Sequence, residues 1–142
     1  MDNEIHGERL TESATMMAPT RSILLVDDEE NIRAVLRDFF ESEGFEVFEA
    51  TDGADAIEMT KTKRFDVVLT DLMMPGPDGL EVLREIRHVS PATAVLMLTG
   101  FPSTESIIKA LELGCDGYLS KPINLSELKY MILRGLIFRK WG

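Results

Sequence analysis

The chain predicts an α/β fold: a parallel sheet covered by helices on both faces. The apolar runs are short and near-continuous rather than alternating, as in strands buried on both sides. Helical patterns with short links separate them, and from Arg21 onward strand and helix alternate five times. The ends of the runs are equally informative. Ser22–Val26 runs into Asp27-Asp28, Phe65–Thr70 into Asp71, Ala94–Leu98 into Thr99, and Gly117–Ser120 into Lys121-Pro122. In an open parallel sheet, ligands bind outside the carboxyl ends of the strands. Three carboxylates, a hydroxyl and an ammonium therefore gather at one sheet edge.

Each element has its own signal. After Asp28, Ile32, Val35, Leu36, Phe39 and Phe40 fall on one helical face, and Gly44 ends that helix. Glu46–Ala50 is a short alternating strand. Asp52 caps a helix carrying Ala56, Ile57 and Met59. Met74 to Gly79, rich in Pro and Gly, reads as a loop. Asp78 and Glu81 form a capping pattern for a helix with Leu80, Leu83 and Ile86. Pro102-Ser103 starts a helix with Ile107, Ala110 and Leu111, stopped by Gly114. Asn124 and Glu127 cap the last helix. Residues 1–20 are polar and aperiodic and read as a flexible tail. Residues 21–142 read as one domain.

Bulk properties narrow the classes. A chain of 142 residues, 44% hydrophobic and 28% charged, can bury a core as a soluble domain. No apolar run is long enough for a membrane helix, and the start lacks the basic and apolar regions of a signal peptide. The single cysteine, Cys115, fits a reducing cytoplasm and reads as a small packed residue. His6 and His88 read as surface residues. The net charge of −10 argues against direct nucleic-acid binding. Around the predicted sheet edge only oxygen ligands are on offer. Crowded acids repel unless a cation joins them, which favours a hard ion such as Mg²⁺.

The acidic pair, the lone acid, the Thr and the Lys-Pro fall in order at the ends of strands one, three, four and five. With Asp-Leu-Met-Met-Pro after strand three and Tyr118-Leu-Ser-Lys121-Pro122 at strand five, this resembles the receiver domain of two-component response regulators. The likeness runs from about Arg21 to Arg139. It implies a flavodoxin-like (βα)5 fold with strand order 2-1-3-4-5. It also implies that a histidine kinase or phosphotransfer protein phosphorylates Asp71. By resemblance, Asp28 and Asp71 ligate Mg²⁺ directly, Asp27 acts through a water, and the backbone carbonyl of Met73 completes the protein ligands. Lys121 and Thr99 then meet phosphoryl oxygens, with backbone N–H groups at Met73 and Gly100 nearby. The Lys121–Pro122 bond is expected to be cis, aiming the lysine inward.

The resemblance also assigns a switch. Thr99 moves towards the phosphate and the Tyr118 ring rotates into the vacated space. The changing surface is helix four, strand five and helix five. Helix five carries Leu125, Leu128, Ile132 and Leu136 on one face and a second stripe, Tyr130, Leu133, Ile137 and Trp141, beside a basic rim. A partner, a homodimer, the tail or a frayed helix end would each account for that stripe. Met73 and Phe101 stand two residues after Asp71 and Thr99, where the family tunes the attacking water. Neither side chain hydrogen-bonds a water, so slow dephosphorylation is expected.

The chain stops about where the fifth helix of a receiver ends, so a stand-alone receiver with no output domain and an unknown downstream target is expected. Three other readings compete. An aspartyl hydrolase usually needs a second acid where Met73 stands. A flavodoxin needs a phosphate cradle where Asp27 to Glu30 would repel one. A degenerate, phosphate-independent receiver would lack some of the side chains present here.

Overall fold

The computed structural model describes residues 20–141, with side chains through Arg139. The expected tail lies outside the described residues, apart from the exposed Thr20. Five strands and five helices alternate. They are β1 (Ser22–Val26), α1 (Glu30–Ser42), β2 (Glu46–Ala50), α2 (Gly53–Thr62), β3 (Val67–Asp71), α3 (Gly79–Val89), β4 (Ala94–Thr99), α4 (Thr104–Glu112), β5 (Gly117–Ser120) and α5 (Leu125–Trp141). The sheet order is β2-β1-β3-β4-β5, and every neighbouring pair is parallel. This is the flavodoxin-like (βα)5 architecture that the resemblance implies.

The strands read as continuous apolar runs because both of their faces are covered. Ile23, Leu25, Val67, Leu69, Leu96 and Leu98 face one side and pack with Leu36 and Phe40 of α1 and Leu128, Ile132 and Leu136 of α5. The alternate residues, among them Leu24, Val26, Val68, Val95 and Met97, face the other side. They meet Ala56 of α2, Val82, Leu83 and Ile86 of α3, and Ala110 of α4. The first stripe predicted for α5 is thus the one that docks on the sheet.

The helix ends follow the capping signals. The Asp52, Asp78, Ser103 and Asn124 side chains accept backbone N–H bonds from residues three further on. Ser103 pairs reciprocally with Ser106, so the capping box of α4 is complete. Gly44 and Gly114 take φ values of 90° and 91° just past α1 and α4, where L side chains are strained. Two strands differ from the sequence reading: β3 begins at Val67, not Phe65, and includes Asp71, and β4 runs on through Thr99. Asp66 explains the late start, because its carboxylate accepts the Ser22 N–H at 2.7 Å and ties off the strand's beginning.

Gly79 is required by close approach. A Cβ there would collide with the Asp71 carbonyl oxygen and lie 2.9 Å from Leu72 Cα. The first residue of α3 therefore seats directly on the end of β3, and Gly79 N–H donates to Leu72 O at 2.9 Å. Gly79→Ala is expected to lower stability by about 1–3 kcal/mol, the usual cost of overpacking. Urea unfolding measures it, with the exposed Ala92→Gly as the comparison.

Candidate functional site

Sheet register assembles the site one strand at a time. Val26 of β1 lies opposite Thr70 of β3, so the next residues, Asp27 and Asp71, come side by side. Asp71 lies opposite Leu98 of β4, which puts Thr99 one step beyond. Thr99 lies opposite Ser120 of β5, which puts Lys121 one step beyond that. Adjacent strands are about 4.8 Å apart, so functional atoms on neighbouring strands can touch. The order reverses between β1 and β3, and at such a point an α/β sheet opens its crevice.

One carboxylate oxygen from each of Asp27, Asp28, Glu29 and Asp71 lies within 4.8 Å of the others. Asp27 and Asp71 are buried, while Asp28 and Glu29 are exposed. Glu29 is an addition to the sequence reading, which took three acids. Asp27 Oδ1 accepts the Glu29 N–H at 2.9 Å, and Glu29 reaches Lys121 from the exposed rim of the site. From α1, Arg33 donates to the Asp27 carbonyl at 2.7 Å and to Glu49 of β2 at 3.0 Å. Asp28 does not cap α1; Glu29 occupies that position without a side-chain cap bond.

Lys121 lies among these acids, with Nζ 3.0 Å from Glu29, 3.1 Å from Asp27 and 3.3 Å from Asp71. Burial works to lower its pKa. Hydrogen bonds with Glu29 and Asp27, then the charges of Asp27 and Asp71, outweigh burial and leave the ammonium above the ordinary lysine value. Asp71 is shifted upward as well. Burial first, and the Asp27 charge second, push its carboxyl above the ordinary aspartate value despite Lys121 and the Met73 N–H. Its oxygen accepts that N–H at 3.3 Å. The donor set contains only hard carboxylate oxygens, in greater number than one ammonium neutralises, so it fits a small divalent ion such as Mg²⁺.

The remaining predicted residues are placed as follows. Thr99 is fully buried, and its Oγ accepts the Phe101 N–H at 3.1 Å. Met73 and Phe101 are exposed on the rim, at 59% and 76%. A Cβ at the exposed Gly100 would meet Lys121 Cδ at an ordinary 3.9 Å. The Lys121–Pro122 bond is cis, as expected. Tyr118 is half-buried, with its hydroxyl 2.6 Å from Ser106 Oγ. On α5, Tyr130, Leu133 and Ile137 are exposed, as the second stripe requires, and Phe138 joins them. The side chain of Trp141 lies outside the described residues. His88 is exposed and Cys115 half-buried, where burial raises the thiol's pKa.

Comparison with known proteins agrees with this geometry. The family model for the response regulator receiver domain matches residues 23–133. The chain belongs to the receiver domain family. Transcriptional regulatory protein ResD of Bacillus subtilis (strain 168) is 42% identical over 106 residues, 75% of this receiver and 44% of ResD. This receiver spans less than half the length of the curated relatives it matches. Among solved structures, a CheY-like receiver domain protein from Methanospirillum hungatei JF-1 is 30% identical with a TM-score of 0.83. The match covers 87% of this receiver and 100% of that chain. Response regulator protein TrrA from Thermotoga maritima, in complex with Mg(2+)-BeF, is 34% identical with a TM-score of 0.75. There the coverage is 82% of this receiver and 100% of TrrA. Family membership makes the chain a phosphoacceptor module of two-component signalling.

A carboxyl whose pKa is raised on folding opposes the fold once ionised. For Asp71 the penalty is absent below the ordinary carboxylate range and grows as pH rises through it towards the raised value. Asp71→Asn is therefore expected to raise the melting temperature by a few degrees at neutral pH in EDTA. The gain should fade on acidification to about pH 3, below the ordinary aspartate pKa. Thermal melts of both proteins across pH measure this.

Proposed function

We propose that Asp71 accepts a phosphoryl group from a phosphohistidine on a kinase or phosphotransfer protein, and that the receiver then signals by a change at α4, β5 and α5. The observation that carries the proposal is the placement of Asp71 beside Asp27, Asp28 and Glu29, under the Lys121 ammonium. An Asp71 oxygen attacks phosphorus in line. The P–O bond forms as the P–N bond to imidazole breaks, and the imidazole leaves with the bonding electron pair. Such transfer is loose, so positioning and charge neutralisation supply the catalysis.

Each residue has a role in that step. Asp28, Asp71 and the Met73 carbonyl would hold Mg²⁺, with Asp27 assisting through a water. When bound, the ion neutralises charge on the phosphoryl oxygens. Lys121 binds one phosphoryl oxygen once released from its acidic partners, and the buried Thr99 hydroxyl donates to another. The Met73 and Gly100 N–H groups assist. The Thr99 shift makes room for the Tyr118 ring, and populations move between two pre-existing arrangements.

Tyr130, Leu133 and Ile137 of α5, each at least 44% exposed, form the face on which a downstream protein or a second copy docks. No helix among the described residues is long and apolar enough to cross a membrane, and we place the protein in the cytoplasm.

Acetyl phosphate with Mg²⁺ is expected to add one phosphoryl mass to the wild type and none to Asp71→Asn. Mass spectrometry of the intact protein decides this, and equal labelling of both would refute Asp71 as acceptor. Phosphate lifetime gives a second prediction. The thioether of Met73 and the ring of Phe101 offer an attacking water no strong hydrogen bond. Met73→Asn and Phe101→Glu are each expected to lose phosphate several-fold faster than the wild type, measured after removing the donor.

A further inference from the structure

We propose that Ser106 is a positioning residue that latches Tyr118 in one arrangement of the switch. This rests on the role given above to Tyr118. Ser106 sits in the first turn of α4, and its Oγ lies 2.6 Å from the Tyr118 hydroxyl on β5. The same oxygen lies 3.3 Å from Ser103 N, 2.9 Å from Ser103 Oγ and 3.0 Å from Ser103 O. A serine hydroxyl has one proton and two lone pairs. Ser103 N–H can only donate, and Ser103 O can only accept. Ser106 Oγ therefore accepts from Ser103 N–H, and the Ser103 hydroxyl, Ser103 O and the Tyr118 hydroxyl share its own proton and its second lone pair. The 2.6 Å contact with Tyr118 is a hydrogen bond whichever oxygen donates. The switch aromatic and the helix cap thus share one oxygen.

The arrangement that this bond holds is the outward one. Thr99 is fully buried, so a ring moved into the space beside it would be covered, whereas Tyr118 is only partly buried. Helix α4 is also weakly anchored. It spans nine residues, of which Ala110 alone is fully buried, whereas α3 buries Gly79, Val82, Leu83 and Ile86. With little apolar area to fix α4, polar contacts at its start weigh heavily in its position. Three residues separate Thr99 from the Ser103 cap, so a shift of Thr99 reaches the latch through a short tether.

The experiment titrates the full chain with beryllofluoride in saturating Mg²⁺, followed by amide NMR. It compares wild type, Tyr118→Phe, Ser106→Ala, the double variant and Ser106→Thr. Removing a bond confined to the outward arrangement raises the binding-competent fraction. Each single variant is expected to bind about three- to tenfold tighter, the effect of losing one net hydrogen bond. The double variant should match the single ones, because they remove the same bond. Ser106→Thr, which keeps the hydroxyl, should stay near wild type. Unchanged or weaker binding by Tyr118→Phe, which leaves the cap intact, overturns the latch. So does simple additivity in the double variant, the signature of an independent cap. A wild type that binds no beryllofluoride overturns the underlying phosphoacceptor reading instead.

Discussion

The site is organised by an imbalance of charge that the sheet enforces. Four carboxylates share a space a few ångströms across, with Lys121 the ammonium beside them. Two of the acids are buried, so they can neither rotate into water nor separate without breaking the register of β1 and β3. The pKa values of Asp71 and Lys121 are both raised, and the same imbalance contributes to each. The acid is held in a field that disfavours its charge, and the base in one that favours it. A site in that condition attracts cations. A bound divalent cation would offset the mutual repulsion of the acids and make the edge a better place for an anionic phosphoryl group.

This tension needs a rigid frame. The three central strands are buried along their whole length, and cores packed this densely do not deform continuously. Gly79 lets α3 close directly on the end of β3, while Arg33 ties the Asp27 carbonyl to Glu49 on the neighbouring strand. The opposite end of the molecule has its own polar clamp. Arg87 of α3 and Arg139 of α5 grip Asp116, each at 2.8 Å, and both also donate to the Gly114 carbonyl. That clamp fixes the start of β5 and the end of α5 far from the acidic edge.

Much of this was legible in the chain because it follows from periodicity and from where apolar runs end. Parallel strands align their ends, so residues just past each strand converge whatever lies between them. Asp27, Asp28, Asp71, Thr99 and Lys121 are therefore readable as one cluster. Glu29 was not, because an acidic run reads equally well as solvated. Gly79 looked like an ordinary loop end, since close backbone approach leaves no trace in local sequence. The Arg87–Asp116–Arg139 clamp and the Ser106–Tyr118 bond join residues from different elements with no shared motif. The second stripe of α5 was readable through its spacing, but Phe138 falls off that spacing and was missed.

The switch proposed for Thr99 and Tyr118 lies where the packing is weakest. β5 is an edge strand of four residues with a single neighbour, and its Ser120 is already exposed. α4, beside it, has one fully buried residue. Moving these elements disturbs little apolar contact, whereas moving β1 or β3 would open the core. A phosphoryl group changes only a few polar contacts at the edge, each worth about 1 kcal/mol net. So small a perturbation can shift only a region whose alternatives lie within a few kcal/mol of each other. The weakly packed corner around Tyr118 meets that condition and the central strands do not.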